Sequence, residues 1–189
     1  LWGIAVQLYG LRSSRNWGIG DFTDLRALMQ WAGRVGAATI GTNPLHALFL
    51  DDPFHISPYS PSSRHFINPL YIDVEACEEF AASPEAQRLL EGTPFRDRLA
   101  QAREADLVDY AAVTALKRGA FEIMHRTLRV RPGPEGERRR DALARFRAEE
   151  GEPLQRFALF QALREHMARN DVSMRNWRRW PEAVRDPTP

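Results

Sequence analysis

Lysine, cysteine and long apolar runs are scarce in this chain of 189 residues, and each scarcity excludes something. The single cysteine, Cys77, rules out a disulfide within the chain and fits a reducing compartment, which predicts a cytoplasmic protein. No apolar run approaches the roughly 20 residues that a membrane span requires. The first residues, LWGIAVQLYG, have neither the basic start nor the cleavage site of a signal peptide. We therefore expect no membrane partner.

Charge of one sign is also lacking, because the net charge is +1. Lysine occurs only at Lys117 among 26 basic residues, so the others are arginines. We interpret this bias as the mark of a GC-rich genome rather than of phosphate binding. The densest basic stretch, residues 126–147, is interleaved with acidic residues. Neither feature creates a field that attracts nucleic acid, and we expect no such partner.

The first 42 residues follow the pattern of a β-α-β unit. Residues 3–9 are mostly apolar and β-compatible, as in a buried parallel strand. Asp21 is placed to cap a helix with apolar residues at helical spacing, and Gly36 is placed to end it. Residues 37–42 then return to strand. Such units join parallel strands, and their ligands gather beyond the carboxyl ends of those strands.

Residues 40–74 form a long loop that reads IGTNPLHALFLDDPFHISPYSPSSRHFINPLYIDV. The stretch has aromatic residues throughout but no clear strand or helix periodicity. A long ordered loop of this kind is usually functional, although a loop packed under its own side chains has the same composition. Its five prolines argue against a helix or a central strand: Pro44, Pro53, Pro58, Pro61 and Pro69.

The remainder of the chain is predicted to be helical. Ser83 and Thr93 each precede a proline and open helices, and Asp109 is placed to cap a longer one. Residues 131–140, RPGPEGERRR, are predicted to form an exposed loop or hinge because they combine proline, glycine and dense charge. Pro153 is predicted to open a further helix.

No metal or cofactor site is predicted. His46, His55 and His65 share the long loop, but their spacing matches no recognised ligand pattern. Gly18 and Gly20 form a lone G-x-G, which falls short of either phosphate-binding glycine pattern.

Three loop segments carry a resemblance to a known family: NPLHALF, SPYSPSSR and NPLYIDV, in this order. Together they resemble the loop after the second barrel strand of bacterial amylomaltases. These enzymes are the 4-α-glucanotransferases of glycoside hydrolase family 77, of the maltose-utilisation type. The similarity spans nearly the whole chain, since further segments also resemble the family: VQLYGLRSSRNWGIGDFTDL, VDYAAVTALK, FALFQAL and WRRWP.

The resemblance implies an α/β fold: the first β/α units of a TIM (β/α)8 barrel plus an inserted helical subdomain. Residues 1–75 would start the catalytic barrel and carry a sugar-binding loop at 40–74, and residues 76–189 would form the mainly helical subdomain. A complete barrel takes about 250 residues. We therefore expect an incomplete domain, with the rest of the barrel C-terminal to this chain.

The implied function is part of a 4-α-glucanotransferase that moves α-1,4-glucan segments between maltooligosaccharides by a retaining covalent mechanism. That chemistry needs two carboxyl groups about 5 to 5.5 Å apart. The family supplies them from later strands, so we expect no catalytic residue here and assign Asp51 and Asp52 to loop solvation. A non-catalytic maltooligosaccharide-binding module and an α-amylase-like hydrolase fragment are the alternatives.

The chain is expected to contribute substrate-binding residues. By resemblance, Tyr59 stacks on the glucose ring beside the cleaved bond, and Ser57 is a candidate for hydrogen bonding to the sugar. Asn43 and His46 leave the end of the second strand, where sugar hydroxyls are within reach, although His46 equally suits a hydrogen bond to the loop backbone. We assign Trp17 to packing rather than to an acceptor site.

Overall fold

The computed structural model describes residues 1–185, and the chain divides into two compact units, Leu1–Arg131 and Pro132–Pro189. The first unit contains the four strands and five of the helices described below. The described part of the second unit contains helices and 3₁₀ turns joined by short turns.

The predicted β-α-β unit is confirmed. Strand β1 (Gly3–Val6) pairs in parallel with β2 (Thr39–Thr42), and helix α1 (Phe22–Arg34) connects them. The first strand is shorter than expected, because a 3₁₀ turn at Leu8–Gly10 replaces its last residues. Residues of β1 alternate between exposed and half-buried, and in β2 Ile40 is half-buried while the other three residues are exposed. The expectation of a buried strand is therefore wrong for a sheet that has only two strands.

Helix α1 begins and ends where the sequence predicts. The Asp21 carboxylate accepts hydrogen bonds from the backbone N–H groups of Thr23 and Asp24, and the Asp24 carboxylate accepts one from the N–H of Asp21. This reciprocal capping box satisfies N–H groups that a helix start leaves without partners. Gly36 follows the helix with φ of +82°, a conformation that favours glycine.

The long loop contains two short strands that the sequence did not predict. Strands β3 (His46–Ala47) and β4 (Ser63–Ile67) pair antiparallel, with an irregular register between His46 and Ala47. The two residues of β3 are too few to show a period of two, and the five residues of β4 do not alternate in burial, so neither strand has the pattern that predicts one. A 3₁₀ turn at Pro69–Tyr71 follows, and the Asn68 side chain caps it by accepting from the N–H of Leu70.

Four helices complete the first unit. They are α2 (Glu78–Ala81), α3 (Pro84–Leu89), α4 (Thr93–Glu104) and α5 (Tyr110–Val130). The predicted helix starts are confirmed: the Ser83 hydroxyl accepts from the N–H of Ala86, and the Asp109 carboxylate accepts from the N–H of Ala112.

Two apolar clusters lie in this unit, and α5 contributes to both. The first surrounds Trp17 and includes Leu116 of α5 and side chains of α2, α3 and α4. The second surrounds Leu8 and Tyr71 and includes Val113 of α5. The second cluster therefore joins the end of β1, the end of the long loop and the first turns of α5.

The second unit is built on α6 (Gly133–Ala168), followed by 3₁₀ turns and the short α7 (Glu182–Arg185). The exposed loop or hinge expected at 131–140 is wrong as a loop from residue 133 onward, because these residues form the first turns of α6, and the boundary between the two compact units lies at 131–132. Pro134 is tolerated there because the backbone N–H of a residue in the first helical turn has no partner within the helix. Gly151 interrupts α6 with φ of +56°, and Pro153 opens its second half as predicted. Within residues 1–185, no helix is both long and apolar enough to cross a membrane.

Candidate functional site

The long loop leaves the carboxyl end of β2, where Asn43 follows Thr42 directly. In parallel α/β folds this end of the sheet is where ligands bind. The four residues predicted to bind substrate lie on this loop. Asn43 and His46 lie at its base, whereas Ser57 and Tyr59 lie at its tip. Within the described residues no hydrogen bond joins the two pairs.

Tyr59 is presented to solvent by a tight turn. The N–H of Ser60 donates to the carbonyl of Ser57 at 3.1 Å, which closes a four-residue turn with Pro58 second and Tyr59 third. Proline suits the second position because its φ is already fixed there. The Tyr59 side chain is 71% exposed, so its ring face is free to meet a flat apolar ligand.

His55 supports this turn from behind. One of its ring nitrogens lies 2.9 Å from the carbonyl oxygen of Ser60, and its ring packs edge-on against Phe49 with centroids 5.0 Å apart. Ser62 adds a second tie, because its hydroxyl lies 3.0 Å from the carbonyl oxygen of Ala47. Sequence reasoning considered His55 only as a metal ligand and missed this supporting role.

Asn43 is buried and joins both strand ends to the end of the loop. Its Oδ1 accepts from the backbone N–H of Leu8 at 2.8 Å. Its Nδ2 donates to the carbonyl of Pro44 at 2.8 Å and to the Tyr71 hydroxyl at 3.3 Å. Three of the four hydrogen bonds that an amide side chain can make are therefore made within the protein. His46 lies half-buried in β3, opposite Ile67.

A charged cluster holds the loop before α1. One Arg15 nitrogen lies 2.6 Å from the Asp21 carboxylate and 3.0 Å from that of Asp24, and the other lies 2.6 Å from that of Asp73. The hydrogen bond to Asp21 raises the pKa of Arg15 above its ordinary value, against the lowering effect of burial. Burial raises the pKa of Asp24, but hydrogen bonds to its carboxylate, chiefly the one from Asn16, outweigh this effect. The pKa of Asp24 therefore lies below its ordinary value.

The aromatic and glycine residues before α1 are packing residues. Trp17 is 3% exposed, and its indole N–H donates to Glu75 at 2.9 Å. A Cβ at Gly18 would lie 2.7 Å from the carbonyl oxygen of Ala102, and one at Gly20 would overlap the carbonyl oxygen of Leu8. Close backbone approach explains the G-x-G spacing without a phosphate.

Lys117 is the functional candidate that sequence reasoning missed. It lies on α5, is 1% exposed, and donates from Nζ to the carbonyl oxygens of Leu70 at 2.6 Å and Ile72 at 2.7 Å. A signal was present in the sequence, since this is the chain's single lysine among many arginines. On sequence alone, we interpret the scarcity of lysine as a bias of composition.

Among residues 1–185, the remaining acidic and metal-ligating groups make no further site. Asp51 and Asp52 are half-buried in the loop, and an Asp52 oxygen accepts from the N–H of Phe54 at 3.4 Å. In the part of the chain that the structure describes, no three His, Cys, Asp or Glu side chains are grouped to hold a metal ion.

Comparison with known proteins identifies the family to which the chain is similar. The profile of the 4-alpha-glucanotransferase family, glycoside hydrolase family 77, matches residues 6–189. A 4-alpha-glucanotransferase of Mycobacterium tuberculosis is 39% identical over 98% of this chain and 25% of its own length. One from Haemophilus influenzae is 37% identical over 95% of this chain and 26% of its own length. The chain therefore spans about a quarter of these curated relatives.

A solved structure also matches most of this chain. The amylomaltase of Corynebacterium glutamicum superposes with a TM-score of 0.70 and 33% identity, over 87% of this chain and 22% of that one. The sequence match and the structural match agree in family and in coverage. The chain belongs to the 4-alpha-glucanotransferase family, glycoside hydrolase family 77.

Proposed function

We propose that this chain is the substrate-binding front part of a 4-α-glucanotransferase, which transfers α-1,4-glucan segments between maltooligosaccharides. The family match over residues 6–189 is the observation that carries the proposal. The retaining covalent mechanism needs a nucleophilic carboxylate and an acid–base carboxyl group. We propose that both come from a part of the protein outside this chain.

The β-α-β unit is proposed to begin a TIM (β/α)8 barrel. Its parallel strands, its connecting helix and the loop at the carboxyl end of β2 have the arrangement of two successive barrel units. The half-exposed faces of β1 and β2 would gain neighbours when further strands and helices pack against them. Residues 1–75 would then belong to the barrel, and residues 76–189 to an inserted helical subdomain.

Within the loop, Tyr59 is proposed as the stacking platform for a glucose ring. Its ring is exposed, and the turn that carries it is held by the contact between His55 and the carbonyl oxygen of Ser60, which gives the turn the rigidity that a binding platform needs. Ser57 is exposed beside it and is proposed to hydrogen-bond a sugar hydroxyl. His46 and Asn43 are proposed to act at the loop base. Asn43 has one oxygen lone pair left for a sugar hydroxyl.

The proposed setting is the cytoplasm, where the lone thiol of Cys77 would stay reduced. No cofactor is proposed, since glycosyl transfer by a carboxylate nucleophile requires none.

Incubating the full-length protein with maltotriose tests the proposed activity. A transferase produces glucose together with chains longer than maltotriose, because the glycosyl group passes to the 4-hydroxyl of another sugar. An α-amylase-like hydrolase produces only shorter chains, because water accepts the group. A binding module leaves maltotriose unchanged. Separation of the products by chain length distinguishes the three outcomes.

A further inference from the structure

Lys117 is buried without a side-chain carboxylate among its hydrogen-bond partners. Its Nζ donates to two backbone carbonyls, those of Leu70 and Ile72, which flank Tyr71 at the end of the long loop. Burying an ammonium whose hydrogen-bond partners are backbone carbonyls costs free energy, because carbonyls carry only partial charges. An apolar side chain at this position would avoid that cost. The cost indicates that the position has a use besides stability.

The sequence itself distinguishes lysine from arginine at this position. Every other basic residue of the chain is arginine, so the composition strongly favours arginine wherever it is tolerated. An ammonium is a compact point charge, whereas a guanidinium is larger, planar and fixed in its donor geometry. The two carbonyl oxygens lie 2.6 and 2.7 Å from Nζ, a spacing that a compact ammonium fits.

A continuous set of contacts leads from Lys117 to the base of the loop. Lys117 holds the carbonyls on either side of Tyr71, and the Tyr71 hydroxyl accepts from Asn43 Nδ2 at 3.3 Å. Asn43 in turn accepts from Leu8 at the end of β1. Both ends of the loop are thereby tied to one buried charge. Leu70 and Thr114, which flank this contact, also line a shallow cleft under the loop together with His55.

We propose that Lys117 is a positioning residue for the sugar-binding loop, and that it acts on substrate affinity rather than on the chemical step. This inference rests on the proposed function, because its first test measures the proposed transfer activity. Lys117 does not touch the proposed sugar platform, so its influence passes through the turn at Pro69–Tyr71 and through Asn43.

The charge of Lys117 depends on pH near neutrality. Burial lowers the pKa of the ammonium from its ordinary 10.5 to about 8, against the raising effect of Asp21, Asp73 and Asp24, while Arg15 lowers it further. The neutral amine is a weaker donor than the ammonium. Loop positioning should therefore loosen as the pH rises through about 8.

The test is steady-state kinetics of maltotriose disproportionation by the full-length protein. In Lys117→Met we expect KM to rise about tenfold while kcat changes by less than about twofold. Lys117→Arg should not restore KM. Arg118→Met is the matched control, since Arg118 is the next residue on α5, is exposed and pairs with Glu122 at 3.2 Å. An unchanged KM in Lys117→Met overturns the proposal.

The pH profile of the wild-type protein separates positioning from a purely structural role, and the wild-type part of the test does not depend on the folding of a variant. Wild-type KM should rise above about pH 8, and this rise should be absent in Lys117→Met. A wild-type KM that stays flat from pH 7 to about 9.5 contradicts the proposal. If wild type does not transfer glucan at all, the proposed function fails. Amide hydrogen exchange then decides the inference, because Lys117→Met should speed exchange across residues 43–72 and Arg118→Met should not.

Discussion

The side chain of Asn43 accepts a hydrogen bond from the backbone N–H of Leu8 at 2.8 Å, across 35 residues of sequence. It thereby fixes where β1 stops and where the long loop begins. The same side chain donates to Tyr71, which belongs to the other end of that loop. One buried amide thus defines the geometry from which the proposed sugar platform extends.

Replacing Asn43 with alanine should destabilise the protein by about 1–3 kcal/mol, because the buried N–H of Leu8 and the hydroxyl of Tyr71 lose partners. Urea unfolding of the full-length protein, followed by circular dichroism, measures this loss. The exposed Asn170→Ala serves as a control and should leave the unfolding midpoint in place. A midpoint in Asn43→Ala equal to that of the control would show that the amide network contributes no stability.

Two glycine substitutions should act in opposite directions. Gly20→Ala places a Cβ against the carbonyl oxygen of Leu8, so we expect a loss of more than about 2 kcal/mol through forced backbone movement. Gly119→Ala lies inside α5 with no other atom within 4 Å of its Cβ. It should gain about 0.5–1 kcal/mol from helix propensity. Thermal unfolding of both variants tests the pair, and equal melting temperatures would contradict it.

The stability of the folded state should rise with pH between about 8 and 10.5 on account of Lys117. Burial depresses its pKa, so in this range the unfolded chain binds a proton that the folded chain has lost, and deprotonation favours folding. Below about pH 8 the buried lysine is charged, and its full cost lowers the free energy of unfolding. The difference between the two pKa values corresponds to about 3 kcal/mol.

The comparison of wild type with Lys117→Met isolates this effect. The free energy of unfolding of wild type minus that of the variant should increase from pH 7 to 10.5. The lysine of the wild type titrates in this range, whereas methionine does not. Urea titrations at pH steps across this range measure it. A difference that stays constant across the range would mean that the ammonium keeps its ordinary pKa.

Much of the fold was predictable because its signals are local. Asp21, Ser83 and Asp109 cap helices through side chains that the sequence shows directly, and the alternation of strand and helix predicts the β-α-β unit. The exposed loop expected at 131–140 is wrong for residues 133–140 because proline and glycine also occur in a first helical turn, as Pro134 does. Local composition does not distinguish the two cases.

The site was predictable only in part because its contacts are long-range. The structure places Tyr59 on an exposed turn, and its stacking on a sugar ring stays a prediction. Apart from the adjacent Pro44, the hydrogen-bond partners of Asn43 and Lys117 lie 28 to 47 residues away in sequence, and no periodicity predicts such pairs. The contact of His55 with Ser60 spans only five residues, but it depends on how the loop folds and leaves no pattern in the sequence.

The most direct test of the account compares Tyr59→Ala with Phe54→Ala in the maltotriose transfer assay of the full-length protein. Both side chains are exposed aromatics of the same loop, at 71% and 89%, so neither substitution should change the melting temperature appreciably. We expect kcat/KM to fall at least about tenfold in Tyr59→Ala, which corresponds to roughly 1.4 kcal/mol of lost binding free energy. Phe54→Ala should stay near wild type, and Tyr59→Phe should retain most of the activity. Equal kcat/KM values for Tyr59→Ala and wild type would contradict the claim that this loop carries the sugar platform.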